Sequence, residues 1–130
     1  MKVYIILIVY IMMLKASSGY YYDDRGYKQE IYTSTVTRNG EVVYRSLHPK
    51  SIGFIPSGYI IVEFAIAVNS ELIDIYENRY NLRFEMHPLE NKKICKFRVQ
   101  NKNVSIETAN EIMENEAVRS SYPDWIMVVR

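Results

Sequence analysis

A chain of 130 residues that is 48% hydrophobic and 24% charged is long enough for one small domain with a core, and too apolar for a disordered segment. Its formal net charge is +1 with no block of like charge, which excludes the basic footprint of a nucleic-acid binder. A single cysteine, Cys95, excludes an internal disulfide.

Residues 1–19 have the layout of a secretory signal peptide. Lys2 gives a basic start, an unbroken apolar run from Val3 to Leu14 follows, and Ala16, Ser17, Ser18 and Gly19 supply small residues for cleavage after Ser18 or Gly19. The run is shorter than the ~20 residues a bilayer span requires. Losing Lys2 and Lys15 with it would leave a nearly neutral mature chain, so the expected location is secreted or periplasmic, with no membrane contact after cleavage.

Residues 20–57 form an expected tyrosine-rich hairpin extension and linker. Tyr20, Tyr21, Tyr22 and Tyr27 crowd its start, and Asn39-Gly40, a tight-hairpin signal, separates two stretches rich in β-branched and aromatic residues. Pro49, Pro56 and Gly58 mark residues 48–58 as a connector.

From Gly58 the pattern sharpens. Residues 59–67 alternate as a strand. Asn69 or Ser70 then caps a helix on which Leu72, Ile73, Tyr76 and Tyr80 recur at helical spacing. Residues 82–87 alternate with Leu82, Phe84 and Met86 inward, and residues 94–100 do so with Cys95, Phe97 and Val99 inward. Ser105 is placed to cap a second helix with Ile106, Ala109, Ile112 and Met113 on its apolar side. A last strand begins at Ala117, with Val118, Ser120 and Tyr122 on one face, and Pro123 fits the point where it leaves the sheet. The order predicts an α+β fold: a ferredoxin-like βαββαβ unit over residues 58–130, a four-stranded antiparallel sheet with two helices on one face, preceded by the N-terminal hairpin.

Beyond Pro123 the apolar run Trp125-Ile126-Met127-Val128-Val129 requires either an internal groove or a partner, because chain ends are ordinarily polar and frayed. The motifs of catalysis do not appear. His48 and His87 have no second ligand at metal spacing, and there is no phosphate loop, nucleophile-elbow serine or Cys–His motif. The expectation is a non-enzyme without cofactor or metal. Asn103-Val104-Ser105 matches the N-glycosylation pattern, which the helix cap accounts for equally well.

The residues from Gly58 onward resemble the prodomain, or propeptide-inhibitor, family of subtilisin-like serine proteases in its stand-alone form. Ser57-Gly58-Tyr59-Ile60-Ile61-Val62-Glu63-Phe64 is similar to that family's first strand, and Ser105-Ile106-Glu107-Thr108-Ala109-Asn110-Glu111-Ile112 to its second helix. Asn115-Glu116-Ala117-Val118-Arg119 resembles the start of its last strand, and Val118, Asp124 and Arg130 repeat its spacing to the end of the propeptide. The acidic residues that precede the matched Asp in many propeptides are Tyr122 and Pro123 here.

The resemblance implies an inhibitor, a folding chaperone, or both, acting in trans on a separately encoded subtilisin-like protease and monomeric when free. Asp124, Trp125, Ile126, Met127, Val128, Val129 and Arg130 would form the protease-binding tail, entering the cleft as an added strand. Arg130 would fill the primary specificity pocket like a bound product, which implies a protease cleaving after arginine with a carboxylate in that pocket, and Met127 would fill an apolar pocket upstream. Asp124, and on the docking face Glu63 or Glu85, would cap helix N-termini of the partner, with simple solvent exposure an equal alternative for the two glutamates. The competing expectation is a secreted adhesive or structural module that binds through the tyrosine-rich hairpin.

Overall fold

The computed structural model describes residues 18–46 and 52–129; the apolar run of the expected leader, His48 and Arg130 lie outside them. Two hairpins come first. β1 (Ser18–Tyr22) pairs with β2 (Lys28–Val36) across a turn in which Gly26 adopts φ +83 and the Asp23 carboxylate accepts from the Arg25 and Tyr27 amides. The cleavage points expected after Ser18 and Gly19 therefore fall within β1. β2 pairs with β3 (Val42–Ser46) around Asn39-Gly40, where Gly40 takes the positive φ that glycine tolerates without steric cost.

β4 (Ile52–Phe64) is the spine of the molecule. Its first half pairs with β3 through Gly53 and Phe54, and its second half, residues 59–63, pairs with β6 (Ile94–Val99). Along its other edge it holds β7 (Val118–Val129) almost from end to end. β5 (Leu82–Met86) closes the far side on β6. The result is one antiparallel sheet of seven strands, ordered β1-β2-β3-β4-β6-β5 with β7 on β4, curling until the Tyr21 ring of β1 meets Trp125 of β7.

This overturns the expected four-stranded ferredoxin-like sheet with two helices on one face and a hairpin set ahead of it. The physical cause lies at Pro56-Ser57-Gly58. Read as a connector, it is instead a bulge inside β4: the register jumps from Pro56↔Trp125 to Ile60↔Pro123, with Gly58 at φ +99 absorbing the extra residues. Residues 52–56 thereby stay in the sheet and bind β3 and β7 at once, welding the N-terminal hairpins to the rest. β4 runs straight through the expected domain boundary at 57/58.

Two further bulges invert expected faces. A register shift between Phe84 and Met86 leaves Met86 opposite Lys96 and 50% exposed, not inward. Another, between Glu63 and Phe64, sets Val118 opposite Phe64 but Ser120 opposite Glu63, so Val118 and Ser120 do not share a face. Pro123 does not release the chain from the sheet. It is fully buried opposite Ile60, where the adjoining bulge already interrupts the ladder and a missing N–H is tolerated.

α1 (Ser70–Tyr80) begins at Asn69, whose side chain accepts from the Leu72 amide at 2.8 Å, and ends at Asn81 in the left-handed conformation. α2 (Ser105–Met113) starts without a side-chain cap: Ser105 is its first residue, buried, with its hydroxyl donating to the Lys102 carbonyl. Tyr76 of α1 and Ala109 and Ile112 of α2 join the same buried cluster as Ile60, Val62, Phe64, Cys95 and Phe97. The Val, Ile and Phe side chains among them each contribute about 1.5–3 kcal/mol on burial. Neither helix is long and apolar enough to cross a membrane.

Candidate protein-binding site

The apolar end of β7 does not hang free. Trp125 stands opposite Pro56, Ile126 opposite Ile55, Met127 opposite Phe54, Val128 opposite Gly53 and Val129 opposite Ile52. The groove that this run requires is thus partly supplied by β4, whose bulge keeps residues 52–56 extended and in line. Gly53 has a packing reason to lack a side chain, since a Cβ there would lie 2.7 Å from Val43 Cγ1.

Trp125 anchors the segment. Its half-buried ring meets Tyr21, Tyr44 and Phe54 edge-on at centroid distances of 5.3, 6.0 and 5.9 Å, the geometry preferred by aromatic quadrupoles. Burial pushes the Tyr21 and Tyr44 hydroxyls above their ordinary range, with Asp23 and Asp24 adding to the effect at Tyr21 and Glu107 at Tyr44, so the patch carries no phenolate charge at neutral pH. The next two side chains behave differently. Ile126 is 52% exposed and Met127 63%, on opposite faces of the strand. Among the described residues, β7 pairs with β4 alone, leaving its outer edge without a ladder partner.

Asp124 sits across from the β4 bulge and accepts a hydrogen bond from Ser57 Oγ at 2.8 Å, while Ser57 Oγ also accepts from the Tyr59 amide. It pins the bulge that keeps the tail in register. Glu63 accepts from Ser120 Oγ at 3.5 Å and faces Arg119 at 3.9 Å. Glu85 lies 3.5 Å from Arg98, two strands away from Glu63. The structure therefore gathers Asp124 with residues 125–129 on one strand and sets Glu63 and Glu85 apart from the tail, each beside its own arginine. Arg130 lies just past the described residues. Sequence reasoning missed Tyr21, Tyr44 and Phe54 as the seat of Trp125. The apolar stretch Ile52-Gly53-Phe54-Ile55 was the available signal, masked by the proline and glycine that follow.

No protein-family model, curated protein or solved structure matches this chain.

One pairing is invisible at motif level. His87 Nδ1 lies 3.9 Å from Cys95 Sγ and 2.9 Å from the Ile94 carbonyl, with its ring edge-on to Phe84. A carbonyl only accepts, so Nδ1 carries the proton in that bond and cannot take one from the thiol. Burial pushes the thiol from its ordinary 9.0 up to about 11, so it is un-ionised at neutral pH and the pair is a packing contact. The expected outcome is that native protein at pH 8 resists iodoacetamide while urea-unfolded protein is alkylated, read by mass. Stability should also fall between pH 9 and pH 11, because the unfolded chain there releases a proton that the folded thiol retains. Rapid alkylation of the native state would show that Cys95 is not enclosed.

Proposed function

We propose that this protein is a binding module for a subtilisin-like serine protease, an inhibitor or folding chaperone that works in trans and uses the end of β7 as its contact strand. The observation that carries this reading is the exposure of Ile126 and Met127 on a strand whose outer edge is unpaired among the described residues. An extended apolar strand with an open edge is what a protease cleft accepts from a substrate or product: backbone bonds give affinity and alternate side chains give selectivity. The resemblance of residues 57–64, 105–112 and 115–119 to the propeptide-inhibitor family supports the partner class. Those stretches fall on β4, on α2, and on the turn into β7 with its first two residues. Arg130, directly after the strand, supports a protease that cleaves after arginine.

The strand is used while seated. Because residues 125–129 are laddered to β4, the partner meets the outer edge and the exposed side chains of a strand that is already ordered, so little conformational entropy is lost on binding. The test is inhibition of an arginine-specific subtilase by the intact chain and by a chain ending at Trp125, which keeps the aromatic anchor. Inhibition by the first and its loss in the second is expected, whereas equal inhibition by both would remove β7 from the interface. A second reading, an adhesive or structural module, draws on Tyr27, 65% exposed in the β1–β2 turn. It gains if the intact chain inhibits no subtilase and Tyr27→Ala abolishes surface adhesion.

A further inference from the structure

The outer face of β5 and β6 carries an arrangement that folding alone does not favour. Arg83 and Arg98 stand directly opposite each other in the antiparallel register, and like charges at opposed positions repel. Lys96 follows two residues along on the same face. Glu85 lies beside them, 3.5 Å from Arg98 Nε. Arg83 has no hydrogen-bond or ion-pair partner among the described residues. The two arginines flank an open groove of about 240 Å³ that is completed by Asn81, Leu82, Val99 and Gln100.

The face is pre-set, not merely charged. Arg98 Nη2 donates to the Tyr59 hydroxyl at 2.7 Å, and its guanidinium lies 5.3 Å from the Tyr59 ring centroid, with Lys96 Nζ at 4.5 Å from the same ring. One aromatic ring thus orients both cations. Arg98 spends Nη2 on Tyr59 and holds Glu85 loosely through Nε, so among the described residues Nη1 has no partner, as is true of the whole Arg83 fork. A planar guanidinium with free N–H groups is matched by a carboxylate, and two arginines that line one groove can share a single carboxylate between them.

We propose that this groove binds a carboxylate side chain of an acidic, extended protein segment, with Arg83 and Arg98 clasping one carboxylate and Lys96 meeting a second along the strand direction. The site lies on β5 and β6, away from the end of β7, and does not depend on the protease reading. Lys96 and Arg98 are separated by one residue on a strand, which matches the spacing of same-face acids in an extended peptide. An isolated inorganic anion would occupy only the arginine pair.

The experiment is a ¹⁵N-resolved titration of the full chain with hexaglutamate and, separately, with sulfate at constant ionic strength, following the arginine Nε–Hε signals. Saturable hexaglutamate binding that moves the Arg83 and Arg98 signals is expected. Arg83→Gln should weaken it about tenfold or more, the scale of losing a charge-assisted hydrogen-bonded pair. Lys92→Gln, in the neighbouring turn, should leave it unchanged. Arg83 is exposed and has no hydrogen-bond or ion-pair partner among the described residues, so the Arg83→Gln spectrum should otherwise superimpose on that of the parent. Saturation by sulfate alone would overturn the peptide assignment. Equal affinities for the parent and Arg83→Gln, or shifts that never saturate, would overturn the site.

Discussion

Replacing Met127 by aspartate is expected to weaken inhibition of an arginine-specific subtilase by about 30-fold or more, the loss produced by removing a hot-spot side chain worth ~2 kcal/mol. The same change should leave stability within about 0.5 kcal/mol, because Met127 is 63% exposed and surface substitutions away from special features rarely exceed that. The two readouts separate because the backbone of residue 127 is laddered to Phe54 whatever side chain it carries. In a cleft, the aspartate would have to shed its water into an apolar pocket without a counter-ion, which is costly. Met127→Leu conserves volume and apolarity and should restore most of the inhibition. Inhibition by Met127→Asp equal to that of the parent would exclude this side chain from the interface.

The seated strand has a consequence for solubility as well as for binding. An apolar edge with a free row of backbone groups invites pairing with any available strand. The first half of β7 is protected: its outer side approaches the β1–β2 turn, where a Cβ on Gly26 would lie 3.3 Å from the Arg119 carbonyl. From Ile126 onward no charged or proline residue guards the strand before residue 130. The unguarded edge of β7 is therefore confined to a short segment next to the aromatic anchor, which limits off-target pairing.

What the sequence made legible follows the ladders that run without interruption. On β6, strict alternation set Cys95, Phe97 and Val99 inward, and all three are buried. Asn69 could be read as a cap because capping is a local contact, here with Leu72. The apolar side of α2 likewise followed from Ile106, Ala109 and Ile112. The failures sit at bulges. Pro56 and Gly58 carry the composition of a linker, and nothing within β4 reveals that Trp125 and Pro123, far along the chain, hold the strand together across them. Glu85 and Arg119 are extra residues that shift the phase of their strands, so Met86 and Ser120 came out on the wrong faces. Register is a relation between distant segments, and a single-strand pattern cannot encode it. The candidate site shared that fate: the tail's need for cover could be read, but its cover, the strand from Ile52 to Pro56, was concealed by the same bulge.

Trp125→Ala should be the most damaging single change at the site, costing about 2–3 kcal/mol, below the ~3–5 kcal/mol of a fully buried large aromatic because the ring is only half-buried. For a domain of this size each kcal/mol lowers Tm by roughly 4 °C or more. The magnitude rests on three edge-on partners, each of which adds about 0.5–1.5 kcal/mol beyond area burial. These partners sit on β1, β3 and β4, so removing the indole loosens the closure of the curled sheet, and Trp125→Phe should recover much of the loss. Since Trp125 is the only tryptophan, unfolding has to be followed by circular dichroism and not by indole fluorescence. A double-mutant cycle with Tyr44→Leu should return a coupling energy of about 0.5 kcal/mol or more, as expected for residues in direct contact. Inhibition should fall together with stability in Trp125→Ala, whereas Met127→Asp changes inhibition alone. A loss of stability below about 0.5 kcal/mol in Trp125→Ala would mean that the end of β7 is held by its backbone ladder and not by the aromatic seat.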